Sequence, residues 1–170
     1  MNKLSIPYGR QYISQDDIDA VVSVLQSDFL TQGPIVSRFE EEVCKYCSAK
    51  YAVAVTNGTV GLHLALLAAE VKPQDEVITQ ALTFVATGNA ISYTGAKPVF
   101  LDVDEVTMGL SANALKSFLE NNTSQKNGFC YNAKSGKRIK ACVPMHTFGF
   151  PAEIEKIVIA DNSKLSGSWF

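Results

Sequence analysis

The stretch Val53-Ala-Val-Thr-Asn-Gly-Thr-Val-Gly-Leu-His-Leu-Ala-Leu66 joins an apolar run to a polar turn and then to a helix-like apolar pattern. It predicts a short buried strand over Tyr51–Val55 and a helix from Thr59 to about Val71. Gly58 permits a tight turn and a close approach of backbone to ligand. The N–H groups that open such a helix, with the Thr59 hydroxyl, suit a phosphate. Many such turns contain glycine for conformational reasons alone, so the turn by itself does not identify an anion site.

Composition narrows the class of protein. The chain has 170 residues, of which 46% are hydrophobic and 19% charged, as in a globular domain with a sizeable core. The net charge of −2 gives no reason to expect a nucleic acid or an acidic membrane as partner. No apolar run is long enough to span a membrane, and no apolar core follows Lys3 to make a signal peptide. These features favour a cytoplasmic protein.

Two of the four cysteines, Cys44 and Cys47, form a C-x-x-C pattern that could indicate metal or redox chemistry. They lie within an amphipathic helical pattern, Phe39–Ala49. Their interpretation as small buried apolar side chains of that helix is favoured over a functional one. A second C-x-x-C, which a zinc site would need, does not occur in the sequence. We therefore expect no metal.

The other elements are predicted from caps, apolar periods and turn residues. Helices are expected from the Ser14 cap to Leu25, from about Pro34 to about Ala49, from Thr83 to Tyr93 and from Ser111 to Leu119. Strands are expected over Glu76–Thr79 and Pro98–Val103, with a hairpin over Gly128–Val143. Strands that alternate with helices indicate an α/β fold of three αβα layers with a mostly parallel sheet.

Ligands of such sheets gather outside the carboxyl ends of the strands. That rule selects the turn at Thr56–Val60, the turn at Thr79–Phe84 and the segment after His146. An aromatic residue such as Phe84 could stack on a flat cofactor, although taken alone a core position is favoured. His63 lies on an apolar helix and is expected to be a packed histidine. His146 is the better candidate for a site wall or an acid–base role.

Several motifs occur together in an order that is more specific than any one of them. They are Asp28–Pro34, Phe39-Glu40, Thr56–Thr59, Asp75–Ile78, Thr83-Phe84, Gly95–Val103 and Val143–Gly149. With these motifs the chain resembles the N-terminal half of the DegT/StrS family of nucleotide-sugar aminotransferases. The resemblance is greatest to members that make the amino sugars preceding legionaminic or pseudaminic acid.

The resemblance implies the large domain of the aspartate-aminotransferase-type fold (fold type I) and pyridoxal 5′-phosphate (PLP) as cofactor. It implies that Gly58, Thr59 and Val60 bind the phosphate and that Phe84 stacks on the pyridine ring. Thr31, Gln32 and His146 would line the substrate site. The substrate would be a 4-keto-6-deoxy nucleotide sugar for surface glycan biosynthesis, the amino donor glutamate, and the assembly a homodimer.

The sequence departs from the family pattern after about residue 152. Ala160–Phe170 can be laid over the family's stretch that carries the carboxylate partner of the ring nitrogen, which would assign that role to Asp161. The segment that precedes Asp161 is shorter than in the family, because Ala152–Ile159 must then supply both a helix and a strand. Either the chain carries an internal deletion, or its last dozen residues are unrelated to the family.

The family's Schiff-base lysine follows that stretch and has no counterpart in this sequence, so no catalytic residue is assigned. We expect a partial large domain over residues 1–170, with an N-terminal arm and helix (1–35), an αβα core (36–158), an uncertain tail (159–170) and no C-terminal small domain. Such a chain is expected to be inactive alone. The alternatives are a non-catalytic remnant and a PLP-dependent sugar dehydratase relative.

Overall fold

A computed structural model describes residues 9–31 and 33–161 of the chain. The chain divides into two units, Met1–Ala54 and Val55–Phe170. The first unit contains helices α1 (Gln15–Leu25) and α2 (Pro34–Cys47), and both were predicted from the sequence. Helix α1 begins at a capping box, in which the Ser14 Oγ accepts from the Asp17 N–H and the Asp17 carboxylate accepts from the Ser14 N–H. Pro34 opens α2, at the helix position that needs no N–H donor.

The burial expected for the C-x-x-C cysteines is wrong. Both residues lie in α2, as predicted, but Cys47 is exposed and Cys44 is only half-buried. Cys47 is the last residue of the helix, where the chain turns at Ser48 into the left-handed region with a φ of 52°. The prediction took both cysteines as core residues from the pattern of the helix, and the pattern does not show that the helix ends at Cys47.

The second unit contains a five-stranded sheet among its described residues. In chain order its elements are α3 (Gly58–Ala68), β1 (Glu76–Gln80), α4 (Val85–Tyr93), β2 (Lys97–Leu101), α5 (Ala112–Asn121), β3 (Thr123–Lys126), β4 (Phe129–Asn132), β5 (Arg138–Val143), a 3₁₀ turn (Thr147–Gly149) and α6 (Ile154–Asp161). The strand order is β2-β1-β5-β4-β3. Strands β2, β1 and β5 are parallel, and the β5-β4 and β4-β3 pairings are antiparallel.

The sheet is covered on both faces, so the predicted three-layer α/β architecture is confirmed. Neighbouring residues of β1 point to opposite faces. Val77 packs in a cluster with Leu66 of α3 and Ile91 of α4, whereas Ile78 packs with Leu115 of α5 and Ile157 of α6. The sheet is mixed because the β3-β4-β5 meander adds two antiparallel strands beside the three parallel ones. The β4-β5 hairpin was predicted; β3 was not.

The strand predicted over Tyr51–Val55 is wrong. These residues have no assigned strand and pair with no neighbour among the described residues. Tyr51 is 76% exposed and Val53 is 75% exposed, so the run is not buried either. An apolar run becomes a strand only when another strand offers the backbone hydrogen bonds of a ladder. In this structure the Ala54 N–H donates to the Glu40 carboxylate at 2.8 Å and not to a neighbouring strand.

The helix boundaries differ from the sequence expectation by a few residues. Helix α3 starts at Gly58 and ends at Ala68, and α4 starts at Val85 with Phe84 as its N-cap. The segment Ala152–Ile159, expected to supply a helix and a strand, forms only α6. None of the helices in the described ranges combines the length and the apolar character that crossing a bilayer requires.

Candidate functional site

The start of α3 offers backbone donors to an anion. Asn57 is the N-cap, and its side-chain oxygen accepts from the Val60 N–H at 3.0 Å. Within the described residues, the N–H groups of Gly58 and Thr59 donate to no acceptor. A Cβ added to Gly58 would meet no atom within 4 Å, so a ligand can approach this backbone from open space. The structure therefore leaves Gly58 and Thr59 as donors, while the predicted Val60 amide is already used by the cap.

Phe84 lies at the carboxyl side of β1, where the chain enters α4. As the N-cap of α4 it has extended backbone angles, and 70% of the residue is exposed. Its N–H donates to the Met145 sulfur at 3.4 Å, and the Thr83 hydroxyl contacts the same sulfur at 3.4 Å. An aromatic ring this exposed is not a core residue. The core interpretation, which the residue taken alone favours, is therefore wrong, and the ring is accessible to a flat ligand.

The side chain of Gln80, at the end of β1, joins three loops at this edge of the sheet. The residue is 0% exposed. Its Oε1 accepts from the Met145 N–H at 2.8 Å. Its Nε2 lies 3.0 Å from the Leu82 carbonyl oxygen, 2.9 Å from the Thr147 hydroxyl and 3.3 Å from the Met108 carbonyl oxygen. The Thr147 hydroxyl in turn donates to the Met108 carbonyl at 2.8 Å, so the network is closed.

His146 follows β5 and is exposed, as a residue in a site wall would be. Its Nδ1 accepts from the Ala152 N–H at 2.9 Å. In a neutral imidazole one nitrogen accepts and the other donates, so this bond assigns the proton to Nε2. Two residues further on, Phe148 adopts a φ of 53°. His146 can therefore offer an Nε2–H donor to a ligand, whereas its Nδ1 is engaged within its own loop.

Asp161 does not lie at the end of a strand. It is the last residue of α6 and is 1% exposed. Burial and, next, the nearby Asp161 carboxylate raise the pKa of the Cys142 thiol in β5. Asp161 is thus placed against the sheet interior on the α5–α6 side. A role as partner of a ring nitrogen stays a prediction that this helical position does not support.

The remaining predicted residues are placed as follows. Thr31 belongs to the first unit and is exposed, and Gln32 lies outside the described residues. His63 is half-buried on α3 and meets the Tyr93 ring edge-on, with centroids 5.7 Å apart, so its prediction as a packed histidine is confirmed. Among the described residues, no three His, Cys, Asp or Glu side chains group as a metal site would require.

The roles of Gln80 and Gly109 were not predicted from the sequence. Gln80 stands within the Thr79–Phe84 turn, but no pattern marks a side chain whose partners are up to 67 residues away. Gly109 is required because its loop closely approaches the segment that precedes α6: an added Cβ would lie 2.7 Å from the Cβ of Ala152. The one available signal was a polar residue at the end of an otherwise apolar strand, Glu76–Gln80.

Comparison with known proteins places these features in a family context. The family model described as "DegT/DnrJ/EryC1/StrS aminotransferase family" matches residues 11–166. The spore coat polysaccharide biosynthesis protein SpsC of Bacillus subtilis is 37% identical over 161 residues, which are 94% of this chain and 37% of SpsC. The chain spans just over a third of the length of the curated relatives it matches, 36% and 37% for two of them.

Solved structures show the same fold. An aminotransferase from Psychrobacter cryohalolentis is 29% identical, with a TM-score of 0.74, and the match covers 92% of this chain and 36% of that one. The pyridoxamine-phosphate (PMP) form of the sugar aminotransferase Spr1654 from Streptococcus pneumoniae, itself described as putative, is 25% identical, with a TM-score of 0.75, and covers 91% and 35%. The neighbours have the fold type I architecture of PLP-dependent aminotransferases, as the sequence predicted.

Proposed function

The chain belongs to the DegT/DnrJ/EryC1/StrS aminotransferase family, and on that premise we propose that it forms the cofactor-binding part of a PLP-dependent sugar aminotransferase. The observation that carries the proposal is the pair of N–H donors of Gly58 and Thr59 at the start of α3. The helix dipole adds a partial positive charge at that point.

A phosphate fits this helix start. The cap uses Asn57 and the Val60 N–H, which fixes the first turn and leaves the two neighbouring amides without an acceptor among the described residues. Hydrogen bonds from such amides to an ionised oxygen are roughly twice as strong as neutral ones. The open space in front of Gly58 lets the oxygen atoms reach the backbone. We infer that Gly58 and Thr59 hold the PLP phosphate, with the Thr59 hydroxyl as a third donor.

Phe84 and His146 are proposed to bind the ring and the substrate. Phe84 presents an exposed aromatic face at the strand-to-helix turn, which suits stacking on a pyridine ring. The Nε2–H of His146 suits an acceptor oxygen. When bound, PLP supplies the electron sink for the carbanion chemistry of amino transfer. The residues of this chain would bind and orient it, and Asp161 is not included in the proposed site.

The substrate and partners are proposed from the family. They are a 4-keto-6-deoxy nucleotide sugar, glutamate as amino donor, and a second copy of the chain in a homodimer. The ordered motifs support an enzyme that makes an amino sugar preceding legionaminic or pseudaminic acid. Thr31 and Gln32 are proposed as substrate contacts. The chain spans just over a third of the length of its curated relatives, so we propose amino transfer itself for a full-length enzyme of this type.

The test compares PMP with pyridoxamine in calorimetric titrations of the 170-residue chain. PMP carries no aldehyde, so surface lysines cannot react with it. We expect PMP to bind at least about tenfold more tightly than pyridoxamine, since the phosphate makes the charge-assisted bonds, and inorganic phosphate to compete. Equal affinities, or no competition by phosphate, would refute the phosphate site and favour a non-catalytic remnant.

A further inference from the structure

We propose that Gln80 is a positioning residue, which holds the loops of Phe84 and His146 in the arrangement that receives the cofactor ring. The proposal rests on the proposed function for its ligand but on the hydrogen bonds of the second unit for its mechanism. Gln80 does not itself lie on the exposed surface of the site, since it is fully buried at the end of β1. It acts through the groups that it binds.

The connection to Phe84 runs through Met145. The Gln80 Oε1 accepts from the Met145 N–H at 2.8 Å and so fixes the backbone of that residue. The Met145 sulfur then accepts from the Phe84 N–H at 3.4 Å. The Gln80 Nε2 also donates to the Leu82 carbonyl at 3.0 Å, two residues before Phe84. The loop that carries the exposed ring is therefore held at two points by one carboxamide.

The connection to His146 comes from both sides of that residue. Met145 precedes it and Thr147 follows it, and Gln80 contacts both, at 2.8 Å and 2.9 Å. Thr147 is buried and passes the network on to the Met108 carbonyl. The backbone of His146 is thereby confined between two fixed neighbours, while its side chain remains exposed.

A carboxamide is the group that this position requires. The site presents one donor, the Met145 N–H, and three acceptors, which are the Leu82 and Met108 carbonyls and the Thr147 hydroxyl. Glutamine offers both an acceptor oxygen and an NH₂ group. A carboxylate of the same shape would keep the bond to Met145 but would face carbonyl oxygens without a hydrogen to donate. A buried donor or acceptor left without a partner is costly, so Gln80→Glu should displace these loops.

If Gln80 positions these two loops, replacing it should change the affinities for two ligands by different amounts. The phosphate donors lie on α3, and none of the bonds of Gln80 involves that helix. Displacing the loops of Phe84 and His146 should therefore weaken binding of the ring but not binding of a phosphate alone. General unfolding of the unit would weaken both. The ratio of the two affinities separates positioning from simple loss of structure.

The test uses the full chain with Gln80→Glu, and with Gln26→Glu at an exposed glutamine of the first unit as a control of the same chemistry. For each chain, PMP and inorganic phosphate are titrated, and amide hydrogen exchange is followed over residues 81–87 and 145–150. We expect Gln80→Glu to weaken PMP binding at least about tenfold, to leave phosphate binding unchanged, and to speed exchange in both loops. The control should match the natural chain in every measurement.

A second variant guards against a Gln80→Glu chain that fails to fold. Met145→Leu keeps the N–H that Gln80 binds and removes the sulfur that accepts from the Phe84 N–H and from the Thr83 hydroxyl in the same loop. It should speed exchange at 81–87, spare 145–150 and weaken PMP alone. Unchanged exchange in both variants, or equal losses of PMP and phosphate binding, would overturn the proposal. If the natural chain binds neither ligand, the proposed function fails, and the exchange measurements still decide the role of Gln80.

Discussion

Replacing Gly58 by alanine separates the stability of α3 from its capacity to bind a ligand. Gly58 is the first residue of the helix, and an added Cβ would meet no atom within 4 Å. The fold therefore does not require glycine here on steric grounds. Alanine is also the better helix former by up to about 1 kcal/mol, less at a terminal position. We expect the Gly58→Ala chain to be as stable as the natural one or slightly more so, as measured by urea unfolding.

Binding should change in the opposite direction. If a phosphate rests on the Gly58 and Thr59 N–H groups, the new methyl group lies where its oxygens approach the backbone. Lengthening one charge-assisted hydrogen bond, worth about 1.5–3 kcal/mol, should weaken PMP binding about tenfold or more. Calorimetric titration of both chains at the same ionic strength measures this difference, since phosphate binding depends on salt.

Gly61→Ala is the matched control for this experiment. Gly61 lies one turn further along α3, and its added Cβ would meet the Val55 Cγ2 at an ordinary 3.6 Å. It should change stability in the same direction without affecting PMP. Undiminished PMP binding by Gly58→Ala would show that no ligand approaches this backbone, and the phosphate assignment would then be wrong.

Three further outcomes are expected. Asn57→Ala removes the cap of α3 and should lower the free energy of unfolding by about 1 kcal/mol, as read from urea titrations; no loss would mean that the cap bond is not formed in solution. Asp75→Asn leaves Arg138 without the carboxylate that it binds at 2.7 and 2.9 Å, which should cost about 2 kcal/mol in the same assay, and an unchanged midpoint would contradict this. Iodoacetamide at pH 8 should modify the exposed Cys47 and spare Cys142, because burial raises the pKa of the Cys142 thiol; mass spectrometry of the native chain would show the reverse if the structure were wrong.

Helix starts were the most predictable part of this fold. Ser14, Asn57 and Ser111 each accept a bond from an N–H three residues ahead, which is a local interaction within a few residues of sequence. Asn57 itself was read only as part of the turn, so its use of the Val60 N–H was not foreseen. The sequence selected the start of α3 as a candidate phosphate site, which stays a prediction; it did not show which amides of that turn remain available.

Strands were less predictable because their stability depends on partners. The run Tyr51–Val55 has the composition of a buried strand, yet it forms no ladder among the described residues and remains exposed. In contrast, Thr123–Lys126 has a polar composition that no strand pattern indicates, and it becomes β3 because β4 pairs with it over four residues. Composition alone cannot supply or withhold the neighbour that makes a strand.

The sequence by itself determined the α/β class, the family and the order of the helices, because caps, apolar periods and motif order are properties of short stretches. Tertiary structure alone decided how the candidate site is assembled. Gln80 meets Met145 and Thr147 across 65 and 67 residues of chain. Phe84 is exposed because of where its turn leaves the sheet, and Asp161, the last residue of α6, is buried because that helix packs in a common core with β1 and α5. Such contacts arise when segments distant in sequence meet at one edge of a sheet, so local sequence patterns do not predict them.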